Sequence, residues 1–293
     1  MSLSEFQLIS RIRKRARTSS RVRTGIGDDT AVIRPASGKE LLFTTDMLIE
    51  GRHFRLNEAA PHEIGRKALA VNISDIAAMG GVPTQAVISL GLPRRLTGRF
   101  VDGLYSGILR LAKKFHVDVA GGDTNRSDRL VINVALLGEV ERGRAVLRSG
   151  ARVGDALLVS GVLGGSYTSR KHLNFMPRVR EARMLVKRFS VHAMMDLSDG
   201  LASDVRRLAE ESRVGILIEE ARVPVSRAAK NVSQALTDGE DFELLFALSQ
   251  KDAKRVPKKF RIVGRVVPRS QGVKLLKKNG SRVPLTGGFD HFK

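Results

Sequence analysis

No cysteine and no tryptophan occur in the 293-residue chain. The missing cysteine removes disulfides, thiolate metal sites and a cysteine nucleophile together. Aromatic residues make up 5% of the chain and only two are tyrosine, so the flat side chains on which single-stranded bases stack are scarce. No apolar run reaches the roughly 18 to 20 residues that a membrane-spanning helix needs. The N-terminal "MSLSEFQLISRIRKRARTSS" lacks the basic-then-apolar order of a secretory signal, and a cytoplasmic location is expected. Also absent are a GxxxxGKS/T phosphate loop, the HRD and DFG triplets, and a GxGxxG turn opening a helix after a strand.

What is abundant is positive charge. Lys and Arg number 51 against 30 Asp and Glu, a formal net charge of +21. Such a balance invites a nucleic-acid reading. No zinc-finger spacing, RNP-like aromatic strand or basic zipper accompanies it, so specific nucleic-acid binding is disfavoured. Surface solvation, or attraction of a small polyanion, is the simpler account. A hydrophobic content of 42% with 28% charged residues describes a folded chain with a proper core.

Apolar spacing divides the chain into two α+β domains, 1–140 and 141–293. In the first, "FQLISRIRKRA" places Phe6, Ile9 and Ile12 at helical spacing. "ELLFTTDM" reads as a strand through Thr45 that ends at Asp46, and "PHEIGRKALAVNISDIAAMGG" as a helix closed by Gly80-Gly81. "TQAVISLGLP" is a strand stopped by Pro93, and "FVDGLYSGILRLAKKF" a helix with Leu104, Ile108 and Leu111 on one side. "VDVAGGDTNR" reads as a short strand running into a glycine turn, and "RLVINVALLGEV" as a long strand. The polar "ERGRAVLRSGARVGD" is a candidate linker. Beyond it, "ALLVSGVLGG" restarts with a strand, and "SVHAMMDLSDGLASDVRRLAEES" is a strand, an acidic turn and a helix carrying Leu201, Val205 and Leu208.

Against this basic background the acids are conspicuous. They sit beside Gly, Ser or Thr at expected turns: Asp28 and Asp29 in "TGIGDDTA", Asp46 in "TTDM", Asp123 in "AGGDTN", Asp196 and Asp199 in "DLSDG". Asp75 differs, since it falls on a helix with Asn72 and Met79 on the same face. Any one of them alone is an ordinary turn or cap residue. Together, several following a strand, they suggest a shared cleft. Two carboxylates about 4 Å apart repel by roughly 4 kcal/mol at an effective dielectric near 20, so a cation is needed to keep several ionised. An all-oxygen donor set without cysteine suits Mg²⁺ or Mn²⁺, and Mg²⁺ commonly bridges a few carboxylates to substrate phosphates.

The motifs "EFQLISRI", "GIGDDTAV", "TTDMLIEGRHF", "KALAVNISDIAAMGG", "VAGGDTNR", "LRSGARVGD", "DLSDGLASD", "GEDFELLF" and "GGFDHF", in this order along nearly the whole chain, resemble the thiamine-monophosphate kinase family. That family shares a superfamily with aminoimidazole ribonucleotide synthetase and selenophosphate synthetase. The resemblance implies ATP-dependent phosphorylation of thiamine monophosphate to thiamine diphosphate, by direct in-line transfer with Mg²⁺ ions. It also implies an N-terminal mixed α/β domain that forms a homodimer through its sheet, and a C-terminal α/β domain that completes the site.

On matching positions, the resemblance implies metal ligation by Asp29, Thr45, Asp46, Asp75, Asp123 and Asp196, with Thr44 and Asp199 as further candidates. It implies nucleotide contacts by Tyr105, Gly122, Asp123, Arg148 and Ser198. His53, Glu240 and Phe289 would hold the thiamine phosphate, and Asp75, Asp196 and Arg148 would serve catalysis. Asp28 would support the ligands from behind or set the turn. The chain departs from the family pattern at Asp238, where a glycine is usual, and over a shortened segment at 164–185. An aminoimidazole ribonucleotide synthetase-like enzyme is the nearest alternative, although "EGRHF" and "FDHF" favour the kinase; the missing cysteine argues against selenophosphate synthetase.

Overall fold

The computed structural model describes residues 22–24, 28–33 and 38–289. The Phe6–Ile9–Ile12 segment, the glycines Gly25 and Gly27 of "TGIGDD" and the final "DHF" lie outside the described residues. Strands β1 (Val22–Thr24), β2 (Ala31–Ile33), β3 (Lys39–Ile49), β4 (Val82–Leu92), β5 (Asp118–Arg126) and β6 (Val131–Glu141) form one sheet, in the order β1-β2-β3-β6-β4-β5. Burial alternates along β3: Glu40, Leu42, Thr44 and Leu48 point inward, while Phe43, Thr45 and Met47 are exposed. This sheet therefore covers its core with one face and leaves the other open.

Helix α1 (Pro61–Ala78) starts with proline at its first turn, and the Glu63 carboxylate accepts the Ala60 N–H at 2.9 Å. It is buried on nearly every side. On one side it packs on β3, β4 and β6 and on helix α2 (Gly98–Phe115). On the other it meets α3 (Lys171–Asn174), α4 (Val179–Arg188) and β8 (Ala193–Asp196) of the second half. A helix clasped in this way has no solvent face to mark with polar residues, which explains "ALAVNISDIAA".

The second half adds β7 (Ala156–Val159), α5 (Leu201–Ser212), β9 (Gly215–Glu219), α6 (Val232–Thr237), β10 (Leu244–Leu248), α7 (Gln250–Ala253), β11 (Arg261–Val267), β12 (Val273–Leu276) and β13 (Arg282–Pro284). With β8 its strands form a seven-stranded sheet, ordered β13-β12-β9-β11-β7-β10-β8. Leu201, Val205 and Leu208 of α5 pack in its core with Val159, Ile216 and Leu245, as their spacing predicts. The chain is thus a two-domain α+β protein. The polar segment between β6 and β7 is laced to both halves: Val146 N–H donates to Met79 O at 3.1 Å, and Met194 N–H donates to Leu147 O at 3.0 Å.

Two expectations need correction. Strand β3 does not end at Asp46 but runs to Ile49, because its antiparallel register with β6 continues through Asp46↔Val134 and Leu48↔Ile132. Nor do Gly121 and Gly122 make a turn. β5 continues through them in parallel pairing with β4, after a register shift between Val119 and Gly121, and a Cβ on Gly122 would stand 1.9 Å from the Ile88 carbonyl oxygen. The glycine is there for close strand approach rather than for a bend. Asp46 and Asp123 consequently lie within strands, not in turns.

Candidate active site

A cavity of ≈ 670 Å³ lies where α1, the inner face of β3 and the start of α5 meet. Asp29 and Arg148, Thr44 and Asp46, Asp75, and Asp196 all line it. Asp29, Asp75 and Asp196 each offer a carboxylate oxygen within 4.8 Å of the others. These acids come from the turn before β2, from α1 and from the end of β8. Their meeting follows from α1 being sandwiched between the halves: Ser74 donates to Asp196 while its neighbour Asp75 accepts from Thr44 Oγ1 at 2.6 Å.

The cluster carries more negative charge than the protein compensates. Burial first, then the charges of Asp46, Asp196 and Asp29, push the Asp75 carboxyl well above its ordinary range. Asp196 is raised to about 8, by burial and then by Asp29. Arg148 is the local counter-charge. Its Nη2 and Nε donate to the two Asp29 oxygens at 2.7 and 3.1 Å, a bidentate pair. Burial alone would lower the Arg148 pKa, but Asp29 carries it above its usual value. Asp28 is raised to about 7 by burial and then by Asp29, and it accepts the Arg148 backbone N–H at 3.1 Å. Asp28, the first acid of the pair, thus holds the Arg148 backbone. Four acids facing one arginine through oxygen donors alone fit a hard divalent cation such as Mg²⁺.

The other expected site residues divide into those at the cavity and those away from it. His53, Ser198, Asp199, Glu240 and Phe289 line the cavity. Asp199 pairs with Arg207 at 2.6 Å and its carbonyl accepts the Phe289 N–H at 2.9 Å. Thr45 also lines the cavity, but its hydroxyl is on the exposed side of β3 and donates to Val134 O at 3.0 Å. Gly122 and Asp123 sit on β5, three strands from β3 and hence about 14 Å across the sheet. Asp123 is exposed and accepts from Asn125 Nδ2 at 2.8 Å. Tyr105, on α2, packs half-buried against the core beneath that edge. Within one chain, these three residues do not join the acid cluster.

Asp238 is exposed, and its carboxylate accepts the Gly165 N–H at 2.9 Å, so the added charge serves a loop contact at the cavity wall. In the shortened segment, the exposed Tyr167 lines the cavity and stacks on His172 with ring centroids 4.9 Å apart. Lys67, Ser74 and Arg207 are polar residues of the site that motif reading does not single out. Lys67 follows Arg66 on the helix and leads into the apolar "ALAV", so on sequence alone it reads as an ordinary surface charge.

Comparison with known proteins fits this geometry. Residues 27–140 match the family described as AIR synthase related protein, N-terminal domain, and residues 152–274 match its C-terminal domain. The thiamine-monophosphate kinase of Bacillus subtilis (strain 168) is 35% identical over 326 residues, covering 99% of this chain and 100% of that protein. The chain belongs to the thiamine-monophosphate kinase family. It is accordingly an enzyme, of the kinase class. The Rhodopirellula baltica thiamine-monophosphate kinase is 40% identical over 266 residues, covering 85% of this chain and 83% of that protein. The solved structure of AaThiL complexed with AMPPCP and TMP aligns with a TM-score of 0.88 at 34% identity, over 100% of this chain and 99% of that one. Among the described residues, no helix is long and apolar enough to cross a membrane.

Proposed function

We propose that this protein transfers the γ-phosphoryl group of ATP in line to the phosphate of thiamine monophosphate, giving thiamine diphosphate and ADP. The observation that carries the reading is the full-length likeness to the AaThiL complex with AMPPCP and TMP, in a chain whose corresponding cleft gathers Asp29, Asp75 and Asp196. The acceptor is a phosphate monoester with a second pKa near about 6, so it is largely ionised at neutral pH and needs no strong general base. The task left to the protein is to position two polyanions against their mutual repulsion.

Asp29, Thr44, Asp46, Asp75 and Asp196 would hold Mg²⁺, with Thr45, Asp123 and Asp199 as outlying members of the ligand set. Bound Mg²⁺ supplies positive charge to the phosphates of both substrates. Arg148, locked to Asp29, is a rigid cation at the nucleotide end, and Ser198 contributes a polar wall. His53, Glu240 and Phe289 grip the thiamine phosphate at the other end of the cavity. His53 Nδ1 accepts the Ile49 N–H at 3.0 Å, which leaves the neutral ring its proton on Nε2, a donor for an anionic or carbonyl-like group.

The protein acts as a homodimer through the open face of the first sheet, in our reading. Phe43, Met47 and Val87 are exposed there, an apolar surface that a second copy would cover. Tyr105, Gly122 and Asp123, remote from the cluster of their own chain, would then contribute nucleotide contacts near the subunit boundary. The domain border near residues 140–141 falls at the end of β6, where the first sheet is complete. Incubation with ATP, Mg²⁺ and thiamine monophosphate tests the proposal. Thiamine diphosphate and ADP are expected in equal amounts; no thiamine diphosphate from protein that demonstrably binds ATP would overturn it.

A further inference from the structure

Lys67 lies on α1 with 1% of its side chain exposed, in the apolar run "KALAV". An ammonium buried this deeply is costly unless hydrogen-bonding partners replace water. Two partners do so. Nζ donates to the His53 backbone carbonyl at 2.7 Å and to Glu240 Oε1 at 2.5 Å. His53 belongs to the turn after β3, and Glu240 to the loop before β10. One ammonium on the helix between them therefore ties the two halves of the protein together at the cavity wall.

The backbone of Glu240 is separately anchored. Glu240 adopts φ 52°, its N–H donates to Ser198 O at 2.7 Å, and its carbonyl accepts from Ser166 Oγ at 2.5 Å. Its carboxylate remains 34% exposed toward the cavity and takes its direction from Lys67. Along α1, Lys67, Val71 and Asp75 all line the cavity at i, i+4 and i+8. At the helical rise, Lys67 and Asp75 are separated by about 12 Å. Lys67 thus stands at the end remote from the acid cluster, with its Nζ engaged by His53 O and Glu240 Oε1. Burial pulls the Lys67 pKa down and the Glu240 carboxylate opposes that shift.

We infer that Lys67 is a positioning residue for the acceptor: it holds the Glu240 carboxylate and the His53 turn in register so that the organic part of the acceptor is gripped, and it takes no part in phosphoryl transfer. The inference rests on the reading of thiamine monophosphate as acceptor.

The test is steady-state kinetics of the full chain and its Lys67→Met, Lys67→Gln, Glu240→Ala and Lys67→Met/Glu240→Ala variants, each substrate being varied at saturation of the other. Lys67→Met and Lys67→Gln are expected to raise the KM for thiamine monophosphate at least tenfold, with kcat and the KM for ATP within threefold of the parent. Should Lys67→Met fail to fold, Lys67→Gln, which keeps a neutral donor, carries the same reading. The double variant is expected to be no worse than the poorer single one, because a residue acting through Glu240 has nothing left to position. An unchanged acceptor KM, a loss confined to kcat, or single effects that multiply in the double variant would each overturn the inference. A parent protein that binds ATP but forms no thiamine diphosphate would defeat the functional reading first and this inference with it; an active parent with normal Lys67 variants would defeat this inference alone.

Discussion

Asp75→Asn separates a site built to hold cations from an ordinary buried hydrogen-bond network, because the two make opposite demands on stability. In a structural network, removing a buried charge that others rely on destabilises the fold by several kcal/mol. Here Asp75 faces other acids. At 4.8 Å, the largest separation among the three clustered oxygens, one ionised pair repels by roughly 3 kcal/mol at an effective dielectric of 20. The acids relieve part of that by taking up protons, as the raised Asp75 and Asp196 show, so the gain from neutralising Asp75 is about 1–3 kcal/mol. Asparagine keeps the acceptor for Thr44 Oγ1 and so preserves the geometry. At about 2–4 °C per kcal/mol, the metal-free variant should melt roughly 2–12 °C above the parent. With saturating Mg²⁺ the order should reverse: the parent gains about 4.1 kcal/mol when the ion is at 1,000 times its dissociation constant, and the variant gains far less. Turnover should fall at least a hundredfold. Melting in EDTA and in Mg²⁺, alongside product assays, reads all three. A variant less stable than the parent in EDTA, or one turning over within tenfold of it, would refute the reasoning.

Arg148→Met leaves Asp29 uncompensated among the other acids and should cost about 3–5 kcal/mol in metal-free urea unfolding; a loss below 1 kcal/mol would contradict the assigned pairing. Gly122→Ala must drive β5 from β4, since the new Cβ would lie 1.9 Å from a backbone oxygen that cannot turn away, and it should lower stability by at least about 2 kcal/mol while leaving the second sheet's near-ultraviolet signals intact. Asp241 is raised to about 6, by burial opposed chiefly by Lys171, so the folded protein binds its proton more tightly than the unfolded chain. That contribution is complete below about pH 4 and is lost as pH rises toward 6, amounting to about 3 kcal/mol over the window. The stability of the parent relative to Asp241→Asn should fall by that order between pH 4 and pH 7, and a difference that stays flat would place the shift elsewhere.

Local patterns made much of the scaffold legible. Leu201, Val205 and Leu208 mark α5, and Pro61 with Gly80-Gly81 bound α1 closely. What stayed hidden depends on contacts distant in the chain. Asp46 is a poor strand former, yet pairing with β6 carries β3 past it. Gly121-Gly122 has the composition of a turn, and only the approach of Ile88 shows why glycine is needed within a strand. At the site, the acids themselves could be picked out, but their convergence could not. Ser74 and Asp196 are 122 residues apart and meet because both sheets clasp one helix. Lys67 escaped for the same reason, since a lysine on a helix reads as a solvent-facing residue until the second half closes over it.

The central claim is that one cavity brings the γ-phosphate of ATP to the phosphate of thiamine monophosphate. Supplying γ-labelled ATP with Mg²⁺ and unlabelled thiamine monophosphate tests it most directly. The account expects the label at the terminal phosphate of thiamine diphosphate, one equivalent for each ADP formed. Label released as inorganic phosphate, or ADP formed without thiamine diphosphate, would contradict it.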